Sequence, residues 1–328
     1  MYKIIVDLLG ADHAETELVQ GAIRAVNEIE DLSVSLYGKA EELEAALSGM
    51  DYAQDKVEIV NCTQEITNYD DPVSAYHEKR DSSLIKGLKT CQTDDDVDGF
   101  VTCGPTGVVL ISSILVLGKI CALRPALACV LRGKDNKEFC IVDCGANVEC
   151  NADRYHDFAR LGVAYMKSTG VSDPRVALLS NGEEAGKGSE TIKQAFHKLE
   201  EGNFRFVGNA EGTDVMNDYA DVIVCDGMSG NVLLKSIEGT AKRFYADILE
   251  HLDEASLADK EQMEALVSRL VKKYDYNNEG GAILLGVKKP VIKGHGAATA
   301  DTIYHSIRMA YNLAKNQIVD KIREEFQK

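Results

Sequence analysis

The feature that most restricts the fold is a recurring triplet: a short apolar run, a turn of glycines and polar residues, then a stretch of helical periodicity. Its clearest instance follows Pro174. Val176 to Leu179 stop abruptly at Ser180-Asn181-Gly182-Glu183-Glu184-Ala185-Gly186-Lys187-Gly188-Ser189, after which Ile192, Ala195, Phe196 and Leu199 recur at helix spacing. Strand, glycine turn and helix together aim backbone N–H groups and a helix N-terminus at an anion. Lys187 adds a full positive charge, and Gly182 and Gly188 let a bulky oxyanion approach the backbone. A nucleotide-binding P-loop needs four residues between its glycines and a Ser or Thr after its lysine; here three separate Gly182 from Gly186, and Gly188 follows Lys187. The segment therefore reads either as an oxyanion cradle or as an ordinary βα turn with a solvated lysine.

The same triplet organises the rest of the chain. Strands are expected over 2–6, 33–37, 57–60, 99–102, 126–131, 139–142, 176–179, 204–207 and 222–224. Helices are expected over 15–30, 40–47, 82–91, from 107 to 121, and over 153–168, 232–252, 257–274 and 300–326, with a glycine-spaced segment at 280–296. This alternation predicts an α/β fold with a mainly parallel, helix-covered sheet, whose ligands bind where strand ends meet helix starts. No linker or repeat divides residues 1–328, which read as one unit, as a single large domain or two interlocked lobes.

Bulk properties exclude several roles. A net charge of −17 repels a phosphate backbone, and the absence of Trp removes a base-stacking surface, so nucleic acid is not the expected partner. The charge also requires any anionic substrate to be met by a local basic patch. The longest apolar run, 107–117, is too short to span a bilayer. Nine cysteines without paired spacing and no signal peptide predict reduced thiols in a cytoplasm. No His, Cys or Asp spacing fits a zinc site, so no metal or other cofactor is expected.

Several turns carry candidate chemistry. Asp226-Gly227-Met228-Ser229-Gly230-Asn231 follows an apolar strand; Asp226 either orients a ligand or caps a helix, and Asn231 can donate to an oxyanion. Asn209 and Glu211 hold the same position after their own strand. His295, among the glycines of Lys293-Gly294-His295-Gly296, and His13, beside Asp12, are either ligand-facing or ordinary loop histidines. Cys144 at the end of a strand reads first as a small apolar residue and second as a thiol nucleophile. Met263, Leu266, Val267, Leu270, Val271 and Tyr274 form an apolar stripe, expected to be core or subunit interface before it is a membrane-facing surface.

Taken in order, these turns resemble one family. Gly10-Ala11-Asp12-His13-Ala14, Cys103-Gly104-Pro105-Thr106-Gly107, Arg124-Pro125-Ala126 and Asp143-Cys144-Gly145-Ala146-Asn147 match the phosphate acyltransferases of bacterial phospholipid synthesis, the PlsX family. So do Gly182-Glu183-Glu184 through Lys187-Gly188, Gly208-Asn209-Ala210-Glu211, Asp226-Gly227 with Gly230-Asn231, and Pro290 through Gly296. The resemblance covers essentially the whole chain. It implies a homodimeric fold similar to the isocitrate and isopropylmalate dehydrogenases, and the conversion of acyl-[acyl carrier protein] and phosphate to acyl phosphate and free carrier protein. It also implies peripheral membrane contact through helices matching 252–274. The chain departs from the family at Ala11, where a second glycine is usual, and at Pro105, where Asn is usual. Asp253, Glu254, Asp259, Glu261 and Glu264 make these helices acidic, which anionic lipid would repel.

Residues and resemblance together nominate Lys187, Asp226, Asn231 and His295 as catalytic. Asp12, His13, Gly104, Thr106, Gly107, Asn147, Gly182, Glu184, Gly188, Asn209, Glu211, Gly227, Gly230 and Lys293 are nominated for phosphate or substrate binding. Lys79, Arg80, Lys86, Lys89, Lys288 and Lys289 are the candidate docking patch for an acidic carrier protein, with a solvated face as the alternative. The competing functions are a phosphotransacylase acting on coenzyme A thioesters, a metal-dependent hydroxyacid dehydrogenase, and a non-catalytic scaffold.

Overall fold

The computed structural model describes residues 1–10, 15–254, 260–272 and 280–327. Eleven strands form one sheet: β1 (Tyr2–Asp7), β2 (Leu32–Gly38), β3 (Val57–Asn61), β4 (Val97–Thr102), β5 (Ala126–Arg132), β6 (Glu138–Val142), β7 (Arg175–Leu179), β8 (Arg205–Ala210), β9 (Val222–Val224), β10 (Ala282–Leu285) and β11 (Val291–Lys293). Their order is β3-β2-β1-β4-β11-β10-β5-β6-β9-β7-β8. Seven neighbour pairs are parallel; β11–β10, β10–β5 and β5–β6 are antiparallel. The mainly parallel α/β sheet is thus present, with an antiparallel centre that reverses strand direction between its two halves.

The helices are α1 (Glu15–Glu28), α2 (Ala40–Leu47), α3 (Pro72–Glu78), α4 (Ser83–Thr93), α5 (Thr106–Val116), α6 (Ala152–Ser168), α7 (Glu190–Glu200), α8 (Gly227–Glu254), α9 (Lys260–Lys272), α10 (Ala300–Lys315) and α11 (Ile318–Glu325). Several starts are set by side chains that satisfy orphan N–H groups. Asp71 caps α3 with Pro72 just inside it, and Ser82, Asn151 and Ser189 cap α4, α6 and α7. Thr299 and Thr302 form a reciprocal box at the start of α10. Two apolar cores flank the sheet. One joins it to α1, α2, α6, α7, α10 and α11 through residues such as Leu18, Phe158, Phe196, Ile307 and Ile318; the other joins it to α3, α4, α5 and α8 through Ala75, Ile85, Val108 and Leu234.

Four expected elements differ. The helix expected to reach residue 121 ends at Val116, because Gly118 takes a left-handed φ of +76° and Lys119 pairs with Val287. The single terminal helix is two, broken where Gln317 adopts φ +54°. The glycine-spaced segment contains β10 and β11, too short to show a pattern in sequence. Helix α8 begins at Gly227, five residues before the expected start, so Gly227, Gly230 and Asn231 belong to its first turns. The expected helix over 257–274 is seen as α9, its two ends lying outside the described residues.

One row of paired residues crosses most of the sheet: Asp7–Thr102–Lys293–Ala282–Cys129–Ile141–Ile223–Ala177. Strands β1, β4 and β11 end on this row from one side. Strands β6, β9, β7 and β8 end within three residues of it from the other. The polar turns of both halves are therefore set along a single transverse line.

Candidate active site

In the second half the strand ends are flush, since Val142, Val224, Leu178 and Asn209 are successive neighbours across β6, β9, β7 and β8. The turns that follow β6, β9 and β7 therefore rise side by side. Asp143 lies at the centre of the first. It is fully buried, and its carboxylate accepts from the backbone N–H groups of Leu127 (3.0 Å), Gly145 (3.2 Å), Ala146 (3.1 Å) and Asn147 (2.6 Å) and from the Asn147 side chain (2.7 Å). Burial nevertheless raises its pKa, because five dipoles do not fully replace water around a charge. Asn147 is buried as well and also donates to the Pro125 carbonyl at 3.0 Å.

Helix α8 docks on this turn. The Gly227 N–H donates to the Asn147 carbonyl at 2.7 Å. A Cβ on Gly230 would lie 1.9 Å from the Asp143 carbonyl oxygen, and one on Gly227 would lie 2.8 Å from the Asn147 carbonyl oxygen, so only glycine admits this approach. Asp226 caps the helix: its carboxylate accepts from Ser229 N–H (2.7 Å), Ser229 Oγ (3.0 Å) and the Tyr155 hydroxyl (3.0 Å). Burial and the neighbouring carboxylate hold the Tyr155 phenol far above its ordinary pKa, so it remains a donor. Asn231 lies half-buried in the first turn, its side chain beside Gly145.

The Lys187 turn follows β7. The Lys187 N–H closes the turn on the Glu184 carbonyl at 3.0 Å, and the same carbonyl accepts from the Asn209 side chain at 2.9 Å, which ties the turn to β8. The Lys187 stem lies over Gly182, where a Cβ would meet its Cγ at 2.7 Å. Its ammonium is half-exposed and 3.9 Å from the Glu184 carboxylate. Gly188 takes φ +93°, and Ser189 then starts α7. Asn209 is inside β8 rather than after it, and Glu211 follows the strand end. Among the described residues, the amide oxygens of Asn147 and Asn209 are buried without a partner, acceptors that a ligand hydroxyl or a water would satisfy. Ligand atoms of Glu183, which is exposed, and of the half-buried Glu211 and Asp214 lie within 4.8 Å of one another, a clustering that surface acids often show without an ion.

In the first half, Asp7 is buried and accepts from Thr102 Oγ1 (2.7 Å) and Leu9 N–H (3.2 Å), while Thr102 Oγ1 accepts from Gly104 N–H (3.0 Å). Gly104 is buried before α5, Pro105 occupies the N-cap, and Thr106 and Gly107 form the first turn. Lys293 closes β11. His295 is exposed beyond it, and its Nδ1 accepts from Ala297 N–H at 3.1 Å. Asp12 and His13 lie outside the described residues. The nominated residues thus form two groups on the transverse row, one around Asp143, Asp226 and Lys187 and one around Thr102 and His295. Asp143, Asp7, Thr102 and Tyr155 are the participants missing from the sequence-based nomination. Asp143 carries the same signal as Asp226, an acid closing an apolar strand before small residues, whereas Tyr155 has none.

Cys144 keeps its first reading, and two further readings change. Cys144 is buried, its thiol donates to the Ile141 carbonyl at 3.3 Å, and burial pushes it well above its ordinary pKa, which makes it a packing residue. The basic patch is partly neutralised, because Lys79 pairs with Asp70 (2.7 Å) and Lys86 with Asp81 (2.8 Å), Arg80 donates to the His77 carbonyl, and Lys289 to the Val97 carbonyl. In the apolar stripe of α9 only Val267 is buried among the described side chains; Met263, Leu266 and Leu270 are 43–55% exposed. Tyr274 lies outside the described residues.

A family model described as fatty acid synthesis protein matches residues 2–321. The chain belongs to this family. Among PlsX-family relatives, the phosphate acyltransferase of Halalkalibacterium halodurans is 37% identical over 99% of this chain and 97% of its own, and that of Geobacillus thermodenitrificans 36% over 99% of each. The PlsX-family chain is accordingly an acyltransferase of fatty acid and phospholipid synthesis. The fold is shared with a branched-chain phosphotransacylase from Enterococcus faecalis (TM-score 0.62, 15% identity, 96% of this chain and 99% of that one). It is also shared with a 4-hydroxythreonine-4-phosphate dehydrogenase from Klebsiella pneumoniae (TM-score 0.54, 11% identity, 95% and 99%). No described helix is long and apolar enough to cross a membrane.

Proposed function

We propose that the chain transfers a fatty acyl group from the thioester of acyl carrier protein to inorganic phosphate, releasing acyl phosphate and the carrier thiol. The observation that carries this reading is that β7 and β9, neighbours in the sheet, end in register, so the turn bearing the Lys187 ammonium and its glycine amides follows the strand next to the one that leads into the N-terminus of α8. Hydrogen phosphate is already nucleophilic near neutral pH, so no covalent enzyme intermediate is required. A phosphate oxygen attacks the thioester carbonyl, the carbonyl oxygen takes up negative charge, and collapse breaks the C–S bond, the thiolate taking the proton that phosphate loses.

In this reading Lys187 and the amides of 182–188 hold the phosphate or the developing oxyanion. Asp226, bonded by Tyr155, orients the first turn of α8, and Asn231 donates toward the reacting group. Asn209, whose side chain ties the Lys187 turn to β8, offers a buried acceptor to the phosphate hydroxyl. His295 and the Gly104–Gly107 turn serve the acyl donor from the other half of the row. The reading includes an architecture like that of the isocitrate and isopropylmalate dehydrogenases and a homodimer, for which the open α9 stripe is the support. Membrane contact is peripheral at most, since Glu264 and the other acids of these helices oppose anionic lipid.

The test is incubation with long-chain acyl carrier protein and phosphate, trapping acyl phosphate as its hydroxamate with hydroxylamine. Hydroxamate that depends on both substrates is expected, and none at all would overturn the reading. The matching coenzyme A thioester, run alongside, is expected to be the poorer donor.

A further inference from the structure

A groove of about 580 Å³ opens between α6 and α10, on the sheet face opposite α5 and α8. Its floor is Val130 and Arg132 of β5 and Glu138 of β6. Glu138 lies five residues up the strand direction from Asp143, roughly 17 Å at strand rise, so the groove is not the site described above. Its size is that of a small-molecule pocket.

The walls differ in character. On the α10 side, the Arg308 guanidinium donates to His305 Nδ1 at 3.0 Å and lies 5.5 Å from the Tyr304 ring, and it pairs with no carboxylate among the described residues. Asn312 and Asn316 continue that wall with amide donors. On the α6 side, Ser168 and Thr169 spend their hydroxyl hydrogens on the Tyr165 carbonyl (2.6 Å) and the Met166 carbonyl (2.9 Å), leaving oxygens that accept. Arg132 is balanced by Glu138 at 2.6 Å and adds donors without net charge.

We propose that this groove binds a small phosphorylated polyol, with the phosphate on Arg308 and the hydroxyls on the α6 wall. A guanidinium without a carboxylate partner selects a phosphate or carboxylate, while a wall of acceptors selects ligand hydroxyls, and only a ligand carrying both satisfies the two sides.

Isothermal titration of the full-length protein with ribose 5-phosphate tests this. Saturable binding is expected for the wild type and for Lys187→Ala. At least tenfold weaker binding is expected for Arg308→Met, with unchanged melting temperature and unchanged acyl transfer in the absence of the probe. Arg308→Lys, which keeps the charge without the fork, is expected to fall between the two and covers the case in which the methionine variant does not fold. Inorganic phosphate, which lacks hydroxyls for the α6 wall, is expected to displace ribose 5-phosphate from the groove only weakly, and displacement as strong as by ribose 5-phosphate itself would overturn the polyol requirement. The proposal is overturned if the wild type shows no saturable binding, if Arg308→Met binds normally, or if Lys187→Ala abolishes binding, which would send the probe to the reaction site. It is equally overturned if Arg308→Met changes the sedimentation coefficient, which would make the groove a contact between copies.

Discussion

Two side chains divide the work at the strand ends. Lys187 is half-exposed and, among the described residues, tethered only by its turn and by a 3.9 Å contact with Glu184, so its charge is available to an incoming anion. Lys187→Ala is expected to lower the turnover of hydroxamate-trapped acyl phosphate about a hundredfold while leaving the melting curve in place, the size of losing one oxyanion donor. Asp143 is the reverse: buried, encircled by donors and out of reach of substrate. Asp143→Ala orphans four backbone N–H groups and the Asn147 amide, and is expected to cost about 3–5 kcal/mol in urea unfolding. Its pKa is raised in the folded state, so the native protein keeps this proton to a higher pH than the unfolded chain does. Its contribution to stability is therefore present at acid pH and lost as pH rises from the usual carboxylate range through the raised value. The urea midpoint of wild type relative to Asp143→Asn is expected to decline over that interval.

At the scale of elements, the Lys187 turn owes its shape to its neighbour. Asn209 bonds the Glu184 carbonyl from β8, and losing that bond is worth about 1 kcal/mol, or roughly a fivefold rise in the KM for phosphate in Asn209→Ala, with little change in turnover. Most such elements were legible in the sequence, because apolar runs of four to seven residues followed by glycine or acid mark strand and turn without ambiguity. What was not legible had too little local pattern. Strands β10 and β11 span four and three residues and exist because β4 and β5 offer them edges. The break at Gln317 interrupts an apolar periodicity that continues through it. Asn209 looked like a turn residue, since Gly208 before it mimics a strand end. The chemistry of the 226–231 turn was visible, but its packing reason, Gly230 against the Asp143 carbonyl, joins residues 87 positions apart and leaves no trace in either stretch.

For the whole molecule, the net charge of −17 and the internal pairing of Lys79 and Lys86 leave fewer free cations for an acidic partner than the sequence suggested. Lys288, which is exposed, is the stronger candidate for that contact. The open face of α9 carries a different message, because Met263, Leu266 and Leu270 on one amphipathic helix are costly to leave in water. If the proposed homodimer forms through this face, Leu266→Asp with Leu270→Asp is expected to yield a slower-sedimenting monomer with far-ultraviolet circular dichroism nearly unchanged; a sedimentation profile identical to that of the wild type would overturn a dimer through α9.

The transverse row makes β5 a ruler between the halves. Adding one residue within β5 would slip its pairing with β6 by about 3.3 Å and turn every later side chain to the opposite face, leaving the strands beyond it free to fold as before. Each rim would still be made, but the Asp143–Lys187 edge would stand offset from the Thr102–His295 edge, so an intact fold with misaligned rims is the phenotype that such an insertion should produce.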